Sequence, residues 1–348
     1  MTLPDQIMNP SKTVRWALLA AGNIAAKFAE AVHQAAGSQI LGVAARDGEA
    51  AAAFAARHAI PRHYAGYEAM LADPEIDAVY ISTLHPFHFE WIVKSLQAGK
   101  HVLCEKPLTM SYREAQLAKA KAVECRCLLR EAFMYRHHPQ TQKVIEQIEA
   151  GAIGAVRVIE SNFCINSGIQ PESRLQAKEL GGGGILDLGC YPISLARLVA
   201  GRANGRLFGE PQELKAVGQI DPATGTDMWT TALLRFERGI TAKCACALRV
   251  SQDNTTYIYG EAGRIEIDSP WFCSGQIRIF RNGTEGPEVI EPDCSRSLYV
   301  YEIESFTNEL NGRPLGPGEV GMRFDDSLGN LKALDRWRAE IGLRYGRE

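Results

Sequence analysis

The tripeptide Glu105-Lys106-Pro107 follows the strand-like run Lys100-His101-Val102-Leu103-Cys104. A lysine at the end of a buried strand, fixed by a proline and preceded by a carboxylate, presents an ammonium group to whatever binds at the strand ends. Read alone, the tripeptide is a solvated turn. Its meaning comes from Ala20-Ala21-Gly22-Asn23-Ile24-Ala25, which stands about a nucleotide-binding domain's length upstream. A dinucleotide fingerprint needs a glycine for a tight turn, a second where backbone meets pyrophosphate, and a third small residue where helix packs on strand. Ala20, Gly22 and Ala25 hold those places. A strand ending at Ala20 and a helix beginning near Ile24 would turn helix N-terminal amides, at Asn23 and Ile24, toward phosphates. A bound dinucleotide with a lysine placed to act on it points to a dehydrogenase.

The end of the second strand decides which cofactor. An NAD enzyme usually places Asp or Glu there to hold the ribose hydroxyls, whereas this chain has Ala44-Ala45-Arg46. A guanidinium can pair with a 2′-phosphate and stack on adenine, so the expected cofactor is NADP. The competing reading makes Arg46 a surface residue on a loop. Asp47 is one position too late for the acidic role in this register.

Further along stands Gly181-Gly-Gly-Gly184-Ile-Leu-Asp187-Leu-Gly189-Cys190-Tyr191. Consecutive glycines allow close approach of another backbone segment or a ligand. Asp187 and Tyr191 are four apart and share a face if helical, which sets a carboxylate beside a phenol. Pro192 makes that geometry conditional, because proline fits only a helix's first turn without loss of a bond. Read alone, Asp187 suits a helix cap and Tyr191 a half-buried core position.

The elements that must position these residues follow from patterning. From Val14, strand signals alternate with helical ones: strands at 16–20, 39–44, 77–82, 101–104 and 127–132, with helices between them. That is a doubly wound parallel sheet over residues 14–135, after an N-terminal tail at 1–13. Residues 136–348 form a second domain. It opens with a helix at 141–150 and becomes strand-rich, with alternating runs at 155–163, 213–219, 230–236, 240–250, 255–259 and 264–267. Turns such as Glu237-Arg-Gly239 and Glu261-Ala-Gly263 predict a largely antiparallel open sheet, and residues 325–343 a closing amphipathic helix. The fold class is α/β in the first domain and α+β in the second.

Composition narrows the classes. The chain has 348 residues, 46% hydrophobic and 23% charged, with a formal net charge of −3, which suits buried cores and argues against disorder. Without a concentrated Lys/Arg surface, a nucleic-acid partner is not expected. Met1 to Thr13 lack the parts of a secretory signal, and no apolar run approaches the ~18 residues needed to span a bilayer, so the expected location is cytoplasmic. Nine scattered cysteines fit reduced thiols. Cys125/Cys127 and Cys244/Cys246 lack the spacing of zinc pairs, and His85, His88, His137 and His138 lack an acidic partner at ligand spacing, so no metal is expected.

Taken together, Val43-Ala-Ala-Arg-Asp47, Leu103-Cys-Glu-Lys-Pro107 and Gly182-Gly-Gly-Ile-Leu-Asp-Leu-Gly-Cys-Tyr191 resemble the glucose–fructose oxidoreductase, inositol dehydrogenase and MocA family. The likeness runs from about Val14 to the final helix and is strongest to its dihydrodiol dehydrogenase and NADP-dependent aldose dehydrogenase branches. The resemblance implies a Rossmann domain followed by an open-sheet domain, with the active site between them. It implies Lys106 and Tyr191 as the catalytic pair and Asp187 as a substrate or orienting group. It sets Ser82-Thr83-Leu84-His85 and His88 along the cofactor with Gly22, Asn23, Ile24, Ala45, Arg46, Glu105, Lys106 and Arg136. It sets Met134, Arg136, His137 and Phe163 beside the substrate. A free phenol has a pKa of about 10, so a neighbouring ammonium would favour the phenolate that takes a hydroxyl proton as hydride leaves.

The expected activity is NADP-dependent hydride transfer at a hydroxyl or carbonyl of a cyclic sugar. That is either aldose oxidation to a lactone or aldose–aldose oxidoreduction with the NADP held tightly throughout. Where the dihydrodiol branch has tryptophan, this chain has Met134 in Glu131-Ala-Phe-Met134, which removes one ring from an aromatic pocket while Phe163 remains. A trans-dihydrodiol dehydrogenase is the second reading. A non-catalytic dinucleotide-binding sensor of the same architecture is a third. A homodimer or higher homo-oligomer through the second sheet is also expected.

Overall fold

The computed structural model describes residues 12–346, so most of the N-terminal tail lies outside the described residues. The chain divides into two compact units. The first begins with β1 (Val14–Leu19), α1 (Asn23–Val32), β2 (Ser38–Ala45), α2 (Gly48–Arg57), β3 (Arg62–Ala65) and α3 (Tyr67–Leu71). It continues through β4 (Ala78–Ile81), α4 (His88–Gln97), β5 (His101–Glu105), α5 (Tyr112–Cys125) and β6 (Leu129–Ala132). The six strands are parallel in the order β3-β2-β1-β4-β5-β6. The order reverses between β1 and β4, so a crevice opens at the carboxyl ends of those strands, where doubly wound sheets bind ligands. The central strands are buried because helices cover both faces, and β4 is buried at every residue, whereas the edge strand β3 is half-exposed.

The second unit holds α6 (Pro139–Glu149), β7 (Val156–Cys164), α7 (Cys190–Arg202), β8 (Glu213–Ile220), β9 (Asp227–Arg235) and β10 (Thr241–Ala247). β11 (Thr256–Gly260), β12 (Gly263–Ile267), β13 (Ile277–Arg281) and β14 (Glu288–Ile290) complete its sheet. The eight-stranded order is β14-β13-β12-β11-β7-β10-β9-β8, antiparallel except where β7 runs parallel to β10. α7 belongs to a helical stretch, 178–202, that by length and composition could cross a membrane, yet every residue of α7 is buried, as in a core helix.

One boundary differs from the sequence expectation of a clean division at residue 135. Residues 296–324 return to the first unit and 325–346 rejoin the second. The cause is α8 (Leu298–Leu310), whose Tyr299, Val300, Ile303, Phe306 and Leu310 share the core of Trp16, Phe28 and Val43. The predicted closing helix is α9 (Phe324–Glu340).

Candidate active site

Each unit is built separately around its own part of the machinery. In the first, the fingerprint loop joins β1 to α1, and Gly22 is the helix N-cap with no side-chain cap bond and no acid in the first turn. The amides there have no capping side chain and suit an anion. Gly22 has an ordinary φ of −97°. A Cβ built on it meets nothing within 4 Å. Neither backbone conformation nor protein packing therefore calls for glycine, whereas close approach of a pyrophosphate does. Ala20, where the fingerprint has its first glycine, has φ +98°.

At the end of β2, Ala45 is followed by Arg46 in a cleft of about 540 Å³ lined by Ala21, Ala45, Arg46, Asp47, Ala50 and Tyr67. Asp47 is turned to other work: it is the N-cap of α2 and accepts a hydrogen bond from the Glu49 amide at 2.9 Å. The cationic side chain is thus the one at the strand end. Tyr67 faces the same cleft, where the Arg46 charge works against the burial that raises its phenol pKa. Its ring packs edge-on to Trp91, centroids 4.8 Å apart, and Lys94 lies 4.2 Å over that indole. Sequence reasoning missed Tyr67 because it follows β3, a short half-exposed strand with no apolar run.

The loop after β4 carries Ser82, Thr83, Leu84 and His85, and the Ser82 and Thr83 hydroxyls are buried with no hydrogen-bond partner in the structure. Orphaned hydroxyls beside the crevice, the open approach at Gly22 and the Arg46 cleft together fit a bound dinucleotide. The loop after β5 carries Glu105 and Lys106, with a cis peptide between Lys106 and Pro107. Tyr80, stacked on Phe28, donates its hydroxyl to Glu105. The Leu108 amide donates to Glu131 at 2.9 Å, so a buried carboxylate braces this loop.

His88, expected along the cofactor, is fully buried. Its Nδ1 lies 2.9 Å from the Pro107 carbonyl and its Nε2 3.0 Å from the Thr83 carbonyl. Burial pushes its pKa down, and the Lys106 charge adds to that. With both nitrogens on backbone, its side chain is not presented to a cofactor. His85 is 8% exposed, its ring edge-on to His88.

Arg136 and His137, expected beside the substrate, are engaged with residues 320–322 of the same unit. Arg136 is 1% exposed; its Nε donates to the Val320 carbonyl at 2.9 Å and its guanidinium lies 3.3 Å from Met322 Sδ. The guanidinium therefore pins residues 320–322 to the first unit. The His137 imidazole packs against Gly321, where an added Cβ would come within 2.7 Å. Burial, with the charges of Arg136 and Arg130, pushes its pKa down to about 3, so the ring is neutral. Met134 is half-buried and packs on the first unit's core.

In the second unit, the glycine run is packed by protein. The Tyr345 hydroxyl donates to the Gly182 carbonyl at 2.5 Å, and Asp227 accepts from the Ile185 amide at 2.8 Å. Burial raises the Asp227 pKa to about 6. A wide turn of π type at Ile185–Gly189 then leads into α7, so Pro192 falls in the first turn of the α-helix, where its missing N–H is tolerated. Asp187 is 6% exposed and Arg174 lies 3.4 Å from it. Tyr191 meets Phe163 edge-on, centroids 5.2 Å apart, and Trp271 at 5.6 Å. Trp271 stacks on Phe163 and donates its indole N–H to the Asn162 carbonyl at 2.9 Å; Phe272, 56% exposed, completes the wall. Trp271 and Phe272 sit on an aperiodic loop and gave no sequence signal. Among the described residues, no group of three or more His, Cys, Asp or Glu side chains is arranged to hold a metal ion.

Comparison with known proteins agrees with this architecture. Residues 14–133 match the model of an oxidoreductase family with an NAD-binding Rossmann fold, and residues 141–266 that of the GFO/IDH/MocA C-terminal domain. A trans-1,2-dihydrobenzene-1,2-diol dehydrogenase of Danio rerio is 33% identical over 96% of this chain and 99% of its own. A D-xylose 1-dehydrogenase (NADP(+)) of Haloferax volcanii is 30% identical over 91% and 94%. Among solved structures, a 3-ketoreductase of Actinomadura kijaniata in complex with NADP and TDP-benzene superposes with a TM-score of 0.83 at 26% identity, covering 95% of this chain and 98% of that one. With both domains matched and relatives above 30% identity along nearly its whole length, the chain belongs to the Gfo/Idh/MocA family of NAD(P)-dependent oxidoreductases.

Proposed function

We propose that the protein is an NADP-dependent oxidoreductase acting on a hydroxyl or carbonyl of a cyclic sugar. The observation that carries the cofactor choice is Arg46 at the end of β2, in a cleft where Asp47 is spent capping α2. Gly22, Asn23 and Ile24 would hold the pyrophosphate, and Arg46 with Tyr67 the 2′-phosphate. Ser82, Thr83 and Leu84 would line the nicotinamide side. NADP, when bound, supplies the hydride acceptor or donor. Tyr191 Oη takes the substrate hydroxyl's proton, and the Lys106 ammonium favours the phenolate that accepts it. General base help of this kind is worth about 10² to 10⁴ in rate. Asp187 orients the substrate hydroxyls. The NADP-dependent xylose enzyme and the NADP-bound ketoreductase among the relatives support this reading.

The aromatic wall beside Tyr191 favours a second reading, trans-dihydrodiol dehydrogenase, because Trp271 and Phe272 supply rings where Met134 takes one away. Flat apolar walls suit an aromatic diol, and they also stack on the C–H face of a pyranose. The deciding measurement is kcat/KM for glucose, xylose, their oligomers and a benzene dihydrodiol at saturating NADP. A sugar is expected to lead; a diol favoured tenfold, about 1.4 kcal/mol, overturns the sugar assignment. In parallel, Lys106→Ala and Tyr191→Phe should abolish most turnover while NADPH still binds. Turnover of none of these substrates by a protein that binds NADPH would favour the sensor.

The same reading includes a homo-oligomer through the open face of the second sheet. Val217, Trp229 and Leu233 are exposed there, and the β8–β9 register sets Val217 opposite Thr231 on the face that Trp229 and Leu233 share. A monomer by sedimentation equilibrium would remove that part.

A further inference from the structure

We propose that His88 is the positioning residue of Lys106, and that it acts by lashing the loop after β4 to the loop after β5. This rests on the reading of Lys106 as catalytic. The two strands are parallel neighbours, paired from Ala78 with His101 to Ile81 with Cys104, so their loops leave the sheet side by side. Pairing ends there, and no strand ladder fixes the loops' separation. His88 is the first residue of α4, has no exposed surface, and reaches the Thr83 carbonyl with one nitrogen and the Pro107 carbonyl with the other. A planar ring with nitrogens at two corners is a rigid spacer, and Pro107 is covalently next to Lys106. The ring therefore sets the distance between the loop carrying Ser82 and Thr83 and the backbone that aims the ammonium group. An error of about 1 Å in such placement can cost on the order of 100-fold in rate without touching binding.

Both ring nitrogens face carbonyl oxygens, which only accept, so serving the two carbonyls together takes two donors. A primary amide carries two N–H donors and can serve both carbonyls, which makes glutamine the conservative replacement. Leucine fills the space and serves neither. The experiment compares His88→Leu, His88→Gln, Lys106→Ala and the double variant His88→Leu/Lys106→Ala. It reads kcat with the fastest substrate of the panel above, NADPH affinity by fluorescence titration, and Tm.

His88→Leu should lower kcat by about 30-fold or more with the NADPH Kd changed less than about threefold, and His88→Gln should recover most of that loss. In the Lys106→Ala background the leucine substitution should cost less than about twofold, because its effect passes through the missing ammonium. An undiminished kcat in His88→Leu overturns the proposal, as does an equal loss with or without Lys106, or a loss that merely follows Kd. If His88→Leu does not fold, His88→Asn, whose shorter amide reaches one carbonyl, takes its place under the same criteria. Full turnover in Lys106→Ala would instead refute the catalytic lysine itself, and with it this proposal.

Discussion

The chain has two glycine loops at its functional elements, and they are glycine for opposite reasons. At Gly22 an added Cβ meets nothing within 4 Å, whereas at Gly183 it would lie 2.4 Å from Asp227 Oδ1 and 2.9 Å from the Tyr345 hydroxyl. Gly183 also has φ +121°, a region that side chains rarely enter. The first glycine keeps room for something outside the chain; the second keeps room for the chain itself. In sequence either could be read as room for a ligand. A glycine run beside catalytic candidates is therefore no sign of a ligand until its surroundings are known.

The largest test of this contrast is Gly183→Ala. Forced φ and overlap with a buried carboxylate should cost about 3 kcal/mol or more, read as a fall in Tm or as insoluble protein. A stable Gly183→Ala protein with unchanged Tm would show that Asp227 and Tyr345 can move aside.

Asp227 gives the next effect. Its folded pKa is raised to about 6 by burial, above the ordinary value of 3.8, so the folded state binds this proton more tightly than the unfolded chain does. Stability from this group is present in full below about 3.8 and is lost as pH rises through about 6. Asp227→Asn cannot ionise. The stability difference between wild type and variant should therefore move in favour of the variant between pH 4 and pH 7, by about 1 to 3 kcal/mol. Denaturant titrations at both pH values measure it, and parallel curves would mean that Asp227 titrates normally.

Gly22→Ala should do the reverse of Gly183→Ala. Tm should hold, since the added methyl meets no protein atom. NADPH affinity should fall about tenfold or more, equivalent to about 1.4 kcal/mol, as the backbone is pushed from the pyrophosphate. Unchanged affinity would remove the cofactor from this loop.

The same contrast explains what was legible beforehand. The parallel sheet could be read because its strands are short apolar runs separated by helical periodicity. β3, with the sequence Arg-His-Tyr-Ala, alternates half-buried and exposed positions and shows no such run. The membership of α8 in the first unit could not be read, because it depends on packing between residues nearly 300 apart, such as Trp16 against Phe306. At the site, residue types singled out Lys106, Arg46 and Tyr191, on which the proposed function rests. They misdirected on His88, Arg136 and His137, whose polar side chains fasten backbone segments. Tyr67, Trp271, Phe272 and Asp227 were silent, since a loop aromatic or a buried acid gains its meaning only from neighbours brought in by the fold.

Ala20 offers the smallest and most exact probe of the first loop. It is an alanine held at φ +98°, where the fingerprint ordinarily has glycine, so the loop keeps the backbone shape while carrying a methyl that opposes it. Ala20→Gly relieves that opposition, worth about 1 to 2 kcal/mol, but gives the unfolded chain more freedom to lose, about 0.4 to 1 kcal/mol. The net expectation is a gain of roughly 0.5 to 1 kcal/mol, a rise of a few degrees or less in Tm, with NADPH affinity unchanged. Since Gly22→Ala should alter affinity and spare stability, the two substitutions, two residues apart, should move different observables. A fall in Tm for Ala20→Gly would mean that the backbone at position 20 is not held at positive φ in solution, and the tight turn that aims Gly22 would have to be redrawn.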